Sequence, residues 1–456
     1  MKIAIIGASH GGHEAALELL TQYDDVDLTI YEASDFISFM SCGMQLYLMN
    51  KVKDDTIVRN FKAEDIEKLG GRVLSNSAVN NIDADHHQLT FADSAGENHQ
   101  DGYDKLILSV GVSPARLNIQ GCNLDNIFLM RGHDWALSLK DKINDPLVKD
   151  VVVVGAGYIG IEAVEAFVKA GKNVTVLDLL PRVLGSYLDA DMTNLLTKEL
   201  IDNGVHVAVG EQLEEYISKD GKEVSAVRTD QGNYQADLVI EGIGVKPNTE
   251  WLKDIVALDD RGWIKTDEYL RTNQKDIFAI GDAILPYSIP ANKPLPIALA
   301  TTARREAQYV VQTMFNDIIR PFKGVVGTSA LQVFDYSFAT AGLNETTARR
   351  AGIEIASVSY NDTRRPAFVS RATGNGDIFV RLAFAPMTHV ILGGAIMAKN
   401  FDITPHGNTL ALAIAQRLTI EDLAEADFFF QPGFDRQWSA LNLAAQKALS
   451  FGTFTK

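Results

Sequence analysis

The sequence predicts an α/β chain that builds one βαβ unit twice and then adds a separate α+β domain. Three observations predict it. A short apolar strand, a glycine-rich turn, an amphipathic helix, a second strand and an acidic residue follow one another over residues 2–32 and again over residues 150–178. Strand, turn, helix and strand within ~30 residues is the spacing of a βαβ unit that closes on a parallel strand pair. After about Pro321 the glycine signatures stop, and a run of strands is followed by a run of helices, the pattern of an α+β domain. A length of 456 residues has room for about three domains at ~150 residues each, with sizeable cores.

Taken in order, the first unit comprises a strand at Lys2–Ile6, the turn Gly7-Ala8-Ser9-His10-Gly11-Gly12, a helix from about residue 14 to residue 22, a strand at Asp27–Tyr31, and then Glu32. Residues 60–70 read as a helix, 75–91 as strands and 105–110 as a buried strand. Residues 114–126 read as a crossover. The second unit has a strand at Asp150–Val154, the turn Gly155-Ala156-Gly157-Tyr158-Ile159-Gly160, a helix to about residue 170, a strand at 173–177, and Asp178. Residues 244–248 are punctuated like a second crossover. In the last third, strands are expected at 327–334, 352–360, Asp377–Phe384 and 389–398, and helices at 407–417, 420–426 and 439–450. These limits divide the chain into 1–114 with 247–323, then 115–246, then 324–456.

A net charge of −17 favours solubility and argues against nucleic acid or an anionic membrane as partner. No apolar run approaches the ~18–20 residues of a membrane span, and the apolar stretch at the N-terminus is too short for a signal peptide. Two cysteines, Cys42 and Cys122, exclude a disulfide scaffold and a cysteine-rich zinc site. A cytoplasmic enzyme is the expectation.

Each glycine turn has a physical task. The first glycine allows the tight turn, the second lets a pyrophosphate approach the backbone, and the third lets helix pack on strand, so that phosphate meets the free N–H groups at the helix start. Ser9 stands at the second glycine position of the first turn; it is small and can itself donate to phosphate. Glu32 and Asp178 lie 20 and 18 residues past the third glycines, where a carboxylate at a strand end accepts both ribose hydroxyls. Asp178 would repel a 2′-phosphate, which favours NADH over NADPH; Arg182 nearby argues the other way. Asp282, at the end of an apolar strand in Gly281-Asp282, is placed to face a phosphate or a polyol.

Cys42 follows Ser41, which reads as the N-cap of an apolar helix, so the thiol would sit in the first turn, where the helix dipole lowers its pKa. It lies ten residues past Glu32, near whatever the first unit binds. With no cysteine nearby, its oxidation would stop at a sulfenate or a mixed disulfide; Cys122 reads as structural. His10, inside the first turn, is either a phosphate contact or helix cap, or a donor beside Cys42. His86 and His87 read as solvated, and His133, His206, His389 and His406 have no metal-ligand spacing around them.

Together these residues resemble the NADH peroxidase and NADH oxidase branch of the flavin disulfide reductase superfamily. The most specific pieces are the two glycine turns with Ile161-Glu162 after the second, Ile37-Ser38-Phe39-Met40-Ser41-Cys42-Gly43, and Phe428-Phe429-Phe430-Gln431-Pro432. The resemblance implies two Rossmann-like dinucleotide-binding domains, FAD on 1–114 with 247–323 and NADH on 115–246, plus a C-terminal dimerisation domain over 324–456 giving a homodimer or homotetramer. It places Gly7, Ala8, Ser9, Gly11, Gly12, Glu32, Ser109, Gly111, Arg131, Asp282 and Ala300 at FAD, and Gly155, Gly157, Tyr158, Ile159, Gly160, Glu162, Asp178, Tyr187 and Gly244 at the nicotinamide nucleotide. Cys42 would cycle through a sulfenate, with His10 and Arg304 as the other catalytic residues.

Within the branch, Gly43-Met44-Gln45-Leu46-Tyr47-Leu48 and Leu299-Ala300-Thr301-Thr302-Ala303-Arg304 resemble the peroxidase pattern, since water-forming oxidases tend to carry an aliphatic residue at the place of Arg304. Hydrogen peroxide is therefore the expected oxidant. A water-forming NADH oxidase that uses O₂ is the alternative, followed by a coenzyme A disulfide reductase and a non-catalytic redox sensor. Larger disulfide reductases have a catalytic histidine before a proline where this chain has Gln431-Pro432, which speaks against a conventional disulfide substrate.

Overall fold

The computed structural model describes residues 1–53, 56, 58–316 and 320–450; residues 54, 55, 57, 317–319 and 451–456 of the expected domains lie outside the described residues. Two five-stranded parallel sheets organise the first two thirds. The first runs Ile277–Ala279, Lys105–Leu108, Lys2–Ile6, Asp27–Tyr31, Arg72–Leu74 in spatial order, and the second runs His206–Val209, Asn173–Asp178, Asp150–Val154, Leu238–Glu241, Ile127–Leu129. Strands such as Asp150–Val154 are apolar without alternation because both faces of a parallel sheet are covered; Val151, Val152 and Val153 are fully buried. In each sheet the strand that enters the glycine turn is central. Chain connections leave it in opposite directions, and a crevice opens there at the strand ends.

The copies share more than the sheet. Each carries a three-stranded antiparallel meander, Ala78–Asp83, Gln88–Ala92, Asn98–Gly102 in the first and Leu213–Ile217, Ala226–Thr229, Asn233–Gln235 in the second. Asn98–Gly102 was not expected, because Asn-His-Gln-Asp-Gly has no apolar alternation; pairing with one neighbour alone holds it. The helix expected over 60–70 is only Ala63–Lys68. The first helix starts earlier than expected and spans His10–Gln22. The two crossovers meet each other, Val112–Pro114 pairing antiparallel with Val245–Pro247.

The last third is a five-stranded antiparallel sheet ordered Ser329–Val333, Tyr336–Gly342, Ile391–Lys399, Asp377–Phe384, Ala356–Thr363. Tyr336–Gly342, rich in small residues, was missed, yet it is paired on both sides. Helix Thr404–Ala415 packs on the strands Tyr336–Gly342 and Ile391–Lys399, and Ala440–Ala448 packs on Asp377–Phe384 and Ala356–Thr363. Phe338 and Val333 of this sheet share one core with Met44 and Leu48, just after Cys42, and with Phe167 of the second unit. Each such fully buried large side chain contributes roughly 1.5–3 kcal/mol, so three regions of the chain clamp the cysteine segment. Phe429, Phe430, Phe434 and Trp438 are exposed on the outside of this third. No helix among the described residues is long and apolar enough to cross a membrane.

Candidate active site

The first glycine turn opens into a cavity of about 580 Å³. Gly7 has φ +96° and Gly155 has φ +105°, and a Cβ on Gly12 or Gly160 would lie 1.8 Å from the carbonyl oxygen of Gly7 or Gly155. Both turns thus use their first and third glycines in the same way. The carboxylates are matched too. Glu32 accepts Ala8 N–H at 2.8 Å and Ser34 N–H at 2.9 Å, and Asp178 accepts Ala156 N–H at 2.6 Å and Leu180 N–H at 2.7 Å.

Gly7, Ala8, Ser9, His10, Gly11, Glu32, Ser109, Gly111, Arg131, Asp282 and Ala300 all line the cavity, whereas Gly12 is buried behind it. Arg131 pairs with Asp282 at 2.9 Å. Beneath this pair Glu306 is completely buried; it accepts Gly281 N–H through Oε2, and its Oε1 has no partner. Burial, with Asp282 adding, pushes this acid up to about 8. The cavity suits a dinucleotide: the helix His10–Gln22 starts with no side-chain cap and no acid in its first turn, and His10 Nδ1 is buried without a partner. Such free donors are what a pyrophosphate-bearing group would satisfy.

The second turn is faced by an aromatic stack. Tyr158 and Tyr187 lie 4.0 Å apart, nearly parallel, and the Tyr158 hydroxyl is 2.7 Å from Ser329 Oγ and 3.4 Å from Thr340 Oγ1 in the last sheet. Gly157 is open apart from Tyr187, and Gly244, at φ +113°, has nothing close. Ile159 and Glu162 lie on the helix Tyr158–Lys169 that starts here. Burial, with Glu165 adding, pushes Glu162 up to about 7.

Cys42 lies in a single turn of 3₁₀ helix, Ser41–Gly43, ahead of the five-residue helix Met44–Leu48. Here two expectations are corrected. Ser41 caps neither segment; its hydroxyl instead accepts Gly132 N–H at 3.3 Å. Nor is the thiol pKa lowered. Burial pushes it up and Glu162 adds to that, outweighing the backbone N–H and Arg304 that pull it down. So short a helix carries too little dipole to offset the desolvation. The sulfur-bearing residue is nonetheless exposed, and Arg304 and Glu162 both act on it electrostatically.

His10 is the first residue of its helix rather than a member of the turn. Burial lowers its pKa, Arg304 and Arg131 lower it further, and Asp282 opposes them, which favours the neutral imidazole. Arg304 lies 3.6 Å from Glu14 and 3.1 Å from His13 Nε2. His13 was missed, because one buried histidine on an amphipathic helix has no sequence signal. His87 is not simply solvated but stacks on Tyr103 at 5.3 Å. Asp35 meets the neighbouring pair His133 and Asp134 from a distant part of the chain; exposed carboxylates of this kind need no ion.

The chain matches the pyridine nucleotide-disulphide oxidoreductase family over residues 1–307 and the dimerisation domain of that family over residues 328–440. It is 37% identical to an NADH oxidase of Enterococcus faecalis, covering 98% of this chain and 99% of the relative. It superposes on the NADH-bound water-forming NADH oxidase of Lactobacillus brevis with a TM-score of 0.93 at 35% identity, over 99% and 98% of the two chains. It is also 28% identical to an NAD(P)H coenzyme A polysulfide/persulfide reductase of Pyrococcus horikoshii, over 98% of both.

The chain belongs to the pyridine nucleotide-disulphide oxidoreductases. Within that family it falls in the NADH oxidase/peroxidase branch of the flavin disulfide reductases. It is an NAD(P)H-dependent flavoprotein oxidoreductase whose cofactors are FAD and NAD(H). Two dinucleotide-binding domains and a C-terminal dimerisation domain make up its fold, and the last of these supports a homo-oligomer.

Proposed function

We propose that this oxidoreductase is an NADH peroxidase that reduces hydrogen peroxide to water through a thiolate/sulfenate cycle at Cys42. The observation that supports it most is Arg304, a guanidinium held against His13 and Glu14 that acts on Cys42. A fixed cation there favours the anionic sulfur and the charge that develops as the peroxide bond breaks. In this reading residues 1–114 with 247–323 hold FAD, 115–246 hold NADH, and 324–456 join the chains.

FAD, when bound, supplies the two-electron carrier between NADH and the cysteine. Cys42 thiolate attacks one peroxide oxygen; an S–O bond forms, the O–O bond breaks, and the departing hydroxide takes a proton to become water. Sulfenate, NADH and one proton then give thiolate, NAD⁺ and a second water. With its pKa lowered by burial, His10 serves as a hydrogen-bond donor, and the positive charge comes from Arg304. Since Cys42 is exposed in the single chain, the cover that protects a sulfenate from further oxidation comes from the bound flavin or a partner chain. Asp178 selects NADH by repelling a 2′-phosphate, and Tyr158 with Tyr187 gates the nicotinamide.

The second reading is a water-forming NADH oxidase, favoured by what the Enterococcus faecalis and Lactobacillus brevis relatives are. One assay separates the two. The peroxidase consumes NADH with added peroxide in the absence of oxygen and consumes little in air alone; rapid NADH consumption in air without peroxide would establish the oxidase instead.

A further inference from the structure

His13 occupies a position that the internal repeat reserves for an apolar core residue. It is the seventh residue of the first turn-helix segment counted from Gly7, and the matching residue counted from Gly155 is Ile161, which is fully buried. His13 is equally hidden, 1% exposed, yet both ring nitrogens are engaged. Nδ1 lies 2.9 Å from Ser38 Oγ, and Nε2 lies 3.1 Å from Arg304 Nη2 and 3.3 Å from Asn60 Nδ2. A guanidinium can only donate, so Nε2 accepts, and the ring proton is on Nδ1, donated to Ser38.

This arrangement joins three segments. Ser38 is buried in left-handed backbone at φ +58°, and its N–H donates to Ala8 O at 2.9 Å; it lies four residues before Cys42. Asn60 belongs to the strip that pairs with Phe39 through Arg59. Arg304 comes from the helix Ala300–Thr313. Glu14 reaches the Arg304 guanidinium at 3.6 Å, and the His10 and Phe61 rings stand 5.8 and 5.3 Å from that of His13. Protonating the imidazole would turn Nε2 into a donor facing a cation, and burial with Arg304 and His10 nearby holds its pKa down to about 3.

We propose that His13 is a positioning residue: an acceptor that fixes the Arg304 guanidinium toward Cys42 and ties it to the segment carrying the cysteine. This rests on the peroxide-pocket role of Arg304 given above.

The test uses the flavin-loaded enzyme with His13→Phe, which keeps a ring and removes both nitrogens; His13→Gln, which restores an acceptor; Arg304→Met; and the double variant His13→Phe/Arg304→Met. Two readouts are the KM for hydrogen peroxide and the pH midpoint of Cys42 alkylation by iodoacetamide, the second independent of the oxidant. His13→Phe is expected to raise the KM about tenfold and move the midpoint up by about half a pH unit, while anaerobic flavin reduction by NADH keeps its rate; the loss of one charge-assisted bond sets that size. His13→Gln should recover most of both, and the double variant should be no worse than Arg304→Met. If His13→Phe does not fold, His13→Asn, which keeps the partner for Ser38 and lacks the Nε2 acceptor, should give the same shifts. Arg304→Met moving both readouts while His13→Phe or His13→Asn moves neither, or fully additive effects, would overturn the proposal alone. Arg304→Met moving neither would remove the role of Arg304 and this proposal with it.

Discussion

In the first βαβ unit the glycine turn opens into a cavity walled by His10, Arg131 and Asp282, whereas the turn of the second is faced by the Tyr158–Tyr187 stack. The backbone does the same thing in both: the same two glycines are required by the same clashes. The difference lies in side chains at matching positions. His10 corresponds to Tyr158 and Glu14 to Glu162. In the first unit the helix offers a neutral imidazole and a carboxylate paired with Arg304. In the second it offers an aromatic face and a carboxyl kept near neutrality by burial. In the proposed function one fold unit would serve as a fixed reaction pocket in one copy and as a gated docking place in the other, because function is grafted onto a fold by a few side chains.

Filling the glycine contact in each copy is expected to have the largest effect. Gly12→Ala and Gly160→Ala each force a Cβ against a backbone oxygen, a clash that no rotamer relieves. Gly12→Ala should lose flavin and all activity, whereas Gly160→Ala should keep its yellow colour and lose about a hundredfold in kcat/KM for NADH. Flavin loss in both, measured by absorbance of the purified proteins, would mean the two sites are not separate.

Cys42→Ser removes the chemistry of the first unit and leaves the second untouched. Peroxide turnover should fall at least about a thousandfold, with FAD retained and NADH still reducing it under argon. A variant that kept most of its peroxide rate would show that the sulfur is not the reductant.

Asp178→Ala acts only on the second copy. It should lower kcat/KM for NADH about tenfold and raise the NADPH-to-NADH ratio; steady-state kinetics with both nucleotides decides. An unmutated enzyme that prefers NADPH would contradict the assignment and turn attention to Arg182, whose buried Nε lacks a partner.

Tyr158→Phe loosens the stack, since it loses the bonds to Ser329 and Thr340. A hydroxyl bond contributes about 0.5–1.5 kcal/mol to the closed arrangement that NADH must displace, so the KM for NADH should fall by a few-fold. A rise would mean that the hydroxyl helps to bind the nucleotide.

The smallest effect sharpens the link between the copies. Glu162, with a pKa of about 7, ionises as pH rises through neutrality and then opposes thiolate formation at Cys42. Glu162→Gln should therefore move the pH midpoint of Cys42 alkylation down by a few tenths of a unit. An upward move would mean that Glu162 helps the sulfur to ionise.

Much of this was legible from residue order. The repeat, both glycine turns and their acids, the strands flanking each turn and the last three helices follow from local rules: glycine where backbone approaches backbone, apolar runs where both faces are buried. The strands Ile127–Leu129, His206–Val209 and Leu238–Glu241 and the helix Glu345–Ala351 were not expected. The strand Tyr336–Gly342 was not legible, because small residues there are selected by the tight pairing of neighbouring strands rather than by propensity. Nor was the direction of the Cys42 pKa, which depends on how much of the thiol's surroundings is protein and on a carboxylate 120 residues away in Glu162.

Spacing along the chain alone sets the two-fold repeat, the two glycine turns with their acids and the separation of Cys42 from the other cysteine, Cys122. Tertiary structure alone decided which side chains meet at Cys42. His13 and Arg304 are 291 residues apart, and no periodicity or motif joins them; they touch because the helix Ala300–Thr313 packs along the helix His10–Gln22. A buried polar atom must find its partner wherever packing brings one, and that is settled only when the sheets and helices close on one another.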